Sequence, residues 1–357
     1  MSRISTYAGH VIAGRFEVSS ALGEGASGTV WVARDRVLGI PVALKVLRST
    51  MRLEPKRLAA FEREARLSER MLSPNIVRVL GFGVDLGEVP YIAYELLPGT
   101  TLAHRIANGE CAGLDELETV IVQIARGLAR AHSLGVTHRD IKPSNVFLTK
   151  DDREKSLAKI LDFGIASLTG HRVTEGDGLY GTFEYVAPEL VFQTSEADAR
   201  CDLYSLTAVA YEFLTGIAPL EATSIEQLVV RMASGQKAKS CSSVVGPAAA
   251  ETLDPWFQKG LARAPVDRFQ TARELAEELH RVIKIAKAAN PLLRAKPTIR
   301  EMTAVTHLDA TRHLSAQLGS GQKLPAMRPR MPSFVFDVGE LEAPQSRVVS
   351  RDPRRDD

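Results

Sequence analysis

Up to about residue 97 the chain alternates apolar and polar positions with a period of two, as in Gly28-Thr-Val-Trp-Val-Ala and Pro41-Val-Ala-Leu-Lys-Val-Leu. That rhythm predicts half-buried strands. One segment breaks it, roughly Pro55 to Met71, where Leu58, Phe61, Ala65, Leu67 and Met71 return at steps of three or four and predict a helix. After Leu97 the helical period dominates, over Leu114–Leu134, Asp198–Leu214, Ile225–Ala233 and Ala272–Ile285. A small strand-rich unit with one helix thus precedes a larger helical one, an α+β pattern in two lobes.

The pattern fades near Asn290. From there to the end lie seven of the chain's 18 prolines, in clusters such as Lys-Leu-Pro-Ala-Met-Arg-Pro-Arg-Met-Pro. Residues 286–357 are therefore expected to form a mostly disordered tail. Within it Met302, Val305, Leu308, Leu314 and Leu318 keep a loose helical spacing, which reads either as a short docking helix or as transient helix.

Composition narrows the function classes. Of 357 residues 45% are apolar, and the net charge is only +2. That balance gives no electrostatic case for nucleic acid or a membrane surface. No stretch reaches the ~18 uninterrupted apolar residues of a membrane helix, and the first residues lack the apolar core of a signal peptide. Cys111, Cys201 and Cys241 are odd in number and form no CxxC pair. Neither a disulfide framework nor a structural zinc site is expected, and a cytoplasmic location fits best.

Three constellations carry chemistry. Gly23-Glu24-Gly25-Ala26-Ser27-Gly28-Thr-Val30 is a GxGxxG. A dinucleotide fold requires a helix directly after such glycines. Here the β-branched and aromatic Thr29-Val30-Trp31-Val32 predicts a strand, so the glycines turn a hairpin whose N–H groups can drape over phosphates. Second, Lys45 lies in the otherwise apolar strand Val42-Ala43-Leu44-Lys45. A buried ammonium needs an anion, and Glu64 on the following helix offers one. Read alone, Lys45 could also be a snorkelling edge-strand lysine, the weaker of the two readings. Third, His138-Arg139-Asp140-Ile-Lys142-Pro-Ser-Asn145 follows a helical segment and a Gly135 able to end it. Asp140 can accept a proton from a hydroxyl, Lys142 can neutralise a phosphoryl group, and Asn145 offers a carbonyl oxygen to a metal. Asp162-Phe163-Gly164 then supplies a carboxylate, a hard ligand suited to Mg²⁺.

In this order the motifs resemble a eukaryotic-like (Hanks-type) serine/threonine protein kinase, most closely the bacterial members. The resemblance covers about residues 11–285 and implies the bilobal kinase fold, with a strand-rich N-lobe over about 11–97 and a helical C-lobe over about 98–285. It implies roles residue by residue. Leu22, Gly23, Glu24, Gly25, Ala26, Ser27, Gly28, Val30 and Ala43 would surround ATP. Lys45 would hold the α- and β-phosphates, paired with Glu64. Glu95, Leu96 and Leu97 would form the hinge that meets adenine, with Tyr94 as gatekeeper. Asp140 would be the base and Lys142 its cationic neighbour, with Asn145 and Asp162 as ligands of Mg²⁺, or of Mn²⁺ in its place. Thr182 would hydrogen-bond Asp140 and Lys142. Glu189 of Ala187-Pro188-Glu189 would pair with Arg268, and Asp202 would brace the catalytic loop.

The resemblance also implies regulation. Arg139, next to the base, is expected to need a phosphate on the activation segment. Thr174 is the preferred site and Thr169 the second, modified in trans within a transient homodimer. Thr303, Thr306, Thr311 and Ser315 are candidate phosphosites of the tail. Three features depart from or qualify the pattern: a bulky Tyr94, a β-branched Ile165 that leans toward threonine acceptors, and Thr207 where relatives often carry glycine. Two other classes were weighed. A pseudokinase requires a broken lysine, base or metal ligand, and none is broken. A small-molecule phosphotransferase lacks a segment ending in Ala187-Pro188-Glu189. Protein substrates are therefore expected.

Overall fold

The computed structural model describes residues 7–289 except 26–27, 48–54, 86–88, 164–182, 193–197 and 223, with the side chains of residues 25, 55–60 and 64 also outside the description. The alternating segments form one antiparallel sheet of six strands. They are β1 (Val11–Ile12), β2 (Phe16–Gly25), β3 (Gly28–Asp35), β4 (Pro41–Leu47), β5 (Val79–Asp85) and β6 (Val89–Glu95), in the order β1-β2-β3-β4-β6-β5. Side chains alternate between faces, so the sheet has two apolar cores. Phe16, Val18, Trp31, Ala33, Val42, Leu44 and Ala93 form one. Ala43, Leu47, Phe61, Val79, Ile92 and Tyr94 form the other. Phe61 comes from α1 (Pro55–Arg70), the helix expected between the strands.

The β3–β4 turn is tied by Asp35. Its Oδ1 accepts the N–H groups of Val37 at 2.9 Å and Leu38 at 3.2 Å, while Arg15 holds both carboxylate oxygens at 3.0 and 2.7 Å.

The second lobe is built on α3 (Leu114–His132), α5 (Arg200–Thr215), α8 (Pro247–Gly260) and α9 (Ala272–Ala289), with shorter helices α2 (Leu102–Ala107), α4 (Pro188–Val191), α6 (Ile225–Ala233) and α7 (Ser242–Val245). Every residue of α5 from Cys201 to Leu214 is buried, which makes it the axle of the lobe. It ends at Gly216, whose φ of +77° is the left-handed conformation of a C-terminal glycine cap. Thr207, which the sequence left without an explanation, has one here. A Cβ placed on Gly260 of α8 would lie 2.3 Å from the Thr207 Oγ1, so the threonine fills the notch that a facing glycine leaves.

The helical reading of this lobe missed one element. A three-stranded antiparallel sheet, β7 (Thr100–Thr101), β8 (Val146–Lys150) and β9 (Ser156–Ile160), runs under the first lobe. Its strands are short, and nearby helical periodicity masks them. Position matters more than size here, because β8 follows the 138–145 loop and β9 leads into Asp162. The 290–357 tail and its candidate helix lie outside the described residues.

Candidate active site

The glycine motif turns a hairpin. Gly25 faces Gly28 and Gly23 faces Val30 across β2 and β3, with register shifts between Val18 and Ser20 and between Ala21 and Gly23. Gly28 is required sterically, since a Cβ there would come within 2.2 Å of the Val46 carbonyl oxygen. Ala26 and Ser27 at the tip lie outside the described residues. Beneath the hairpin, Leu22, Val30, Ala43, Leu96, Leu97 and Leu161 belong to one apolar cluster. This lining, drawn from both lobes, suits a flat aromatic base.

Lys45 sits at the centre of the first lobe's sheet, paired with Val30 on β3 and Ile92 on β6, and is 5% exposed. It is therefore not a snorkelling edge residue. The anion it meets is Asp162, at 2.8 Å. The Glu64 side chain, its expected partner, lies outside the description. Burial pushes the Asp162 carboxyl up, but the charge and hydrogen bond of Lys45, aided by His138 and Lys142, outweigh it and leave the group below its ordinary value. Asp162 also adopts a left-handed φ of +54°. Non-glycine residues are rarely held that way, and such positions cluster at functional sites.

The loop carrying Asp140 is fixed from below. Asp202 of α5 is fully buried, and its carboxylate accepts the N–H groups of His138 at 2.8 Å and Arg139 at 2.7 Å. The same carboxylate meets the His132 ring at 2.8 Å. These bonds hold Arg139 at a φ of +64°. His138 reaches across to the Leu161 carbonyl at 2.9 Å and packs edge-on against Phe163, joining the loop to the end of β9.

Above this base three polar side chains converge. The Lys142 Nζ lies 2.9 Å from the Asp140 Oδ2. The Asn145 amide nitrogen donates to the Asp140 carbonyl at 2.8 Å and to its Oδ2 at 3.1 Å. With the nitrogen so engaged, the carbonyl oxygen of Asn145 is the atom left for a cation. The Asn145 amide and the ionised Asp162 carboxylate make a hard-oxygen pair. That fits Mg²⁺, which takes one or two protein oxygens and completes its shell with phosphate and water. Among the described residues no cluster of three or more His, Cys, Asp or Glu could hold a metal by itself.

Further down, Glu189 at the start of α4 forms a two-pronged pair with Arg268, both contacts at 2.7 Å. Tyr185 is hydrogen-bonded to Glu212 of α5 in the buried interior. Thr169, Thr174, Thr182 and Ile165 lie outside the described residues.

Two contacts were not anticipated. Tyr94, the expected gatekeeper, lies close enough to Asp162 that burial together with that carboxylate holds its phenol well above the usual tyrosine range. Lys159 on β9 is 2.6 Å from Glu95 at the end of β6, the expected hinge. Lys159 carried the same signal as Lys45, a lysine inside an apolar strand. The Tyr94 contact had none, because it joins residues far apart in sequence.

Comparison with known proteins places this geometry. The protein kinase domain family matches residues 16–289. Serine/threonine-protein kinase PknE of Mycobacterium bovis is 33% identical over 297 residues, covering 82% of this chain and 51% of that protein. Serine/threonine-protein kinase pkn3 of Myxococcus xanthus is 32% identical, covering 78% and 52%. The chain thus spans about half the length of these relatives. Among solved structures, the Mycobacterium tuberculosis PknI kinase domain superposes with a TM-score of 0.62 at 26% identity, covering 78% of this chain and 99% of that one. Rad53 in complex with AMP-PNP gives 0.61 at 27% identity, covering 75% and 65%.

Proposed function

The chain belongs to the protein kinase domain family, and from that premise we propose that it transfers the γ-phosphoryl group of ATP to serine and threonine hydroxyls of proteins. One observation carries the reading: Asp140 is bonded to both Lys142 and Asn145, and the loop that carries them is tied through His138 to Leu161, next to the Asp162 that meets Lys45.

In this reading the base lies in the cluster Leu22, Val30, Ala43 and Leu97, against the hinge backbone at Glu95. Lys45 turns from Asp162 to the α- and β-phosphates as the nucleotide enters. Asn145 and Asp162 would hold Mg²⁺, which would neutralise charge on the phosphates. Asp140 accepts the proton of the attacking hydroxyl as its oxygen bonds to the γ-phosphorus and the bond to ADP breaks. Lys142 stabilises the charge spread over the transferred group. Phosphorylation of Thr174, or of Thr169, in trans between two copies would give Arg139 its countercharge. Similarity to two kinases named for serine and threonine favours those acceptors.

The test is incorporation of labelled phosphate from Mg-ATP into the protein and into a generic acceptor, with sites mapped by mass spectrometry. Asp140→Asn is expected to lower the rate by about 10²–10⁴-fold, the usual contribution of a positioned base. Wild type that binds nucleotide yet labels nothing would overturn the activity. An active enzyme unmodified at Thr174 and Thr169 would overturn the regulatory part alone.

A further inference from the structure

Strand β9 reads Ser156-Leu-Ala-Lys159-Ile, and Lys159 is 8% exposed within it. An ammonium at that depth is tolerated only against an anion. Its Nζ lies 2.6 Å from the Glu95 Oε1, and the Glu95 side chain is itself three-quarters buried. The same oxygen accepts the Arg78 N–H at 2.9 Å, while the Glu95 N–H donates to the Arg78 carbonyl at 3.0 Å. The chain just before Arg78 is in turn laced to β9. Ile160 N–H donates to the Asn75 carbonyl and Val77 N–H to the Ile160 carbonyl, both at 2.9 Å, and the Asn75 amide reaches the Ala158 carbonyl at 3.0 Å.

One carboxylate therefore joins three pieces of backbone: the hinge end of β6, the approach to β5, and β9. Strands β6 and β9 belong to different sheets in different lobes. Lys159 stands three residues before Asp162, and Glu95 directly follows Tyr94, which shares an apolar cluster with Leu161. Two successive residues of β6 thus meet the 159–162 stretch, Glu95 through the ion pair and Tyr94 through the apolar cluster.

We infer that Lys159 and Glu95 form a positioning pair that fixes the hinge, where the base binds, relative to Asp162, where the metal–phosphate end binds, and thereby sets nucleotide affinity. The inference rests on the kinase reading above. It predicts a selective effect, because the Asp140 loop is held separately by Asp202 on α5. Losing the pair slackens the nucleotide site and leaves the base in place.

The experiment uses the full chain with Lys159→Met, Lys159→Arg, Glu95→Gln and the exchanged double variant Lys159→Glu/Glu95→Lys. Affinity for Mg-AMP-PNP is measured by calorimetry, KM for ATP and kcat by labelling, and the melting temperature in parallel. Lys159→Met is expected to weaken AMP-PNP binding and raise KM about tenfold, with kcat changed less than about threefold, since a broken buried pair leaves an uncompensated charge. Lys159→Arg, which keeps the charge, should stay within about threefold of wild type, and the exchanged variant should recover part of the loss. If Lys159→Met fails to fold, Glu95→Gln keeps an oxygen for Arg78 and should still weaken binding about threefold. Unchanged binding in a folded variant, a kcat loss as large as the KM rise, or tighter binding would overturn the pair. Wild type that does not bind AMP-PNP would instead overturn the kinase reading.

Discussion

Two buried ion pairs in this molecule look alike as distances and differ in everything around them. In the second lobe, Arg268 meets Glu189 through a fork with both contacts at 2.7 Å. Its remaining N–H groups go to the carbonyls of Ala262, Arg263 and Arg200, at 2.7, 2.9 and 3.2 Å, and its guanidinium lies 4.9 Å from the Tyr204 ring centroid. All five donors of the guanidinium are used. In the first lobe, Lys45 meets one oxygen of Asp162 at 2.8 Å, and the Asp162 side chain is 34% exposed. A saturated buried pair can only hold structure. A pair whose carboxylate is open to solvent at one edge can exchange partners, as phosphate binding requires.

Breaking the first pair should therefore produce the largest loss of stability in the molecule. Arg268→Leu leaves Glu189 buried without a countercharge, a change that costs about 3–5 kcal/mol. A protein of this size should then melt roughly 6–15 °C lower, as followed by thermal unfolding. The contrast sharpens with Lys45→Met. There the orphaned Asp162 can hydrate, so melting should move by only about 2–3 °C while turnover falls by about 10²-fold or more, as when a charge-stabilising group is removed. If Lys45→Met melted as low as Arg268→Leu, both pairs would be structural and the distinction would fail.

The same contrast explains what could be read from the chain. The lobes were legible because periods of two and 3.6 occupy separate stretches. The Asp140 loop was legible because its members lie within eight residues, from His138 to Asn145, so spacing nearly fixes their geometry. The short sheet β7–β9 was not, since two or five residues hold too little periodicity to register. Contacts between lobes were harder still. Lys159 and Glu95 are 64 residues apart, and Tyr94 and Asp162 are no closer, so topology alone brings them together. Yet the rule that found Lys45 applies unchanged to Lys159. Both stand inside apolar strands, and each has its anion on a distant element. Thr207 shows the opposite limit. Its reason lies in the facing Gly260, and no pattern local to α5 contains it.

A third pair sits between the two extremes and gives the smallest effect. The Asp35 side chain is fully buried, while that of its partner Arg15 is 31% exposed. The Arg15 hydrogen bond outweighs burial, and the Leu38 and Val37 N–H groups add to it, holding the Asp35 carboxyl below its ordinary value. A carboxyl lowered in the folded state stabilises the protein above its unfolded pKa of about 3.9, and that stabilisation is lost as pH falls through the lowered value. Asp35→Asn should thus melt roughly 2–4 °C below wild type at neutral pH, the shift of about 1 kcal/mol for a pair partly screened by solvent. The gap should hold down to the unfolded pKa of about 3.9 and close as pH falls from there through the lowered value, where folded wild type loses the same charge. A gap unchanged at low pH would mean that the turn needs only a hydrogen-bond acceptor at residue 35. In that case the pair would belong with Arg268 and Glu189, held by geometry, rather than with the exchangeable charges of the cleft.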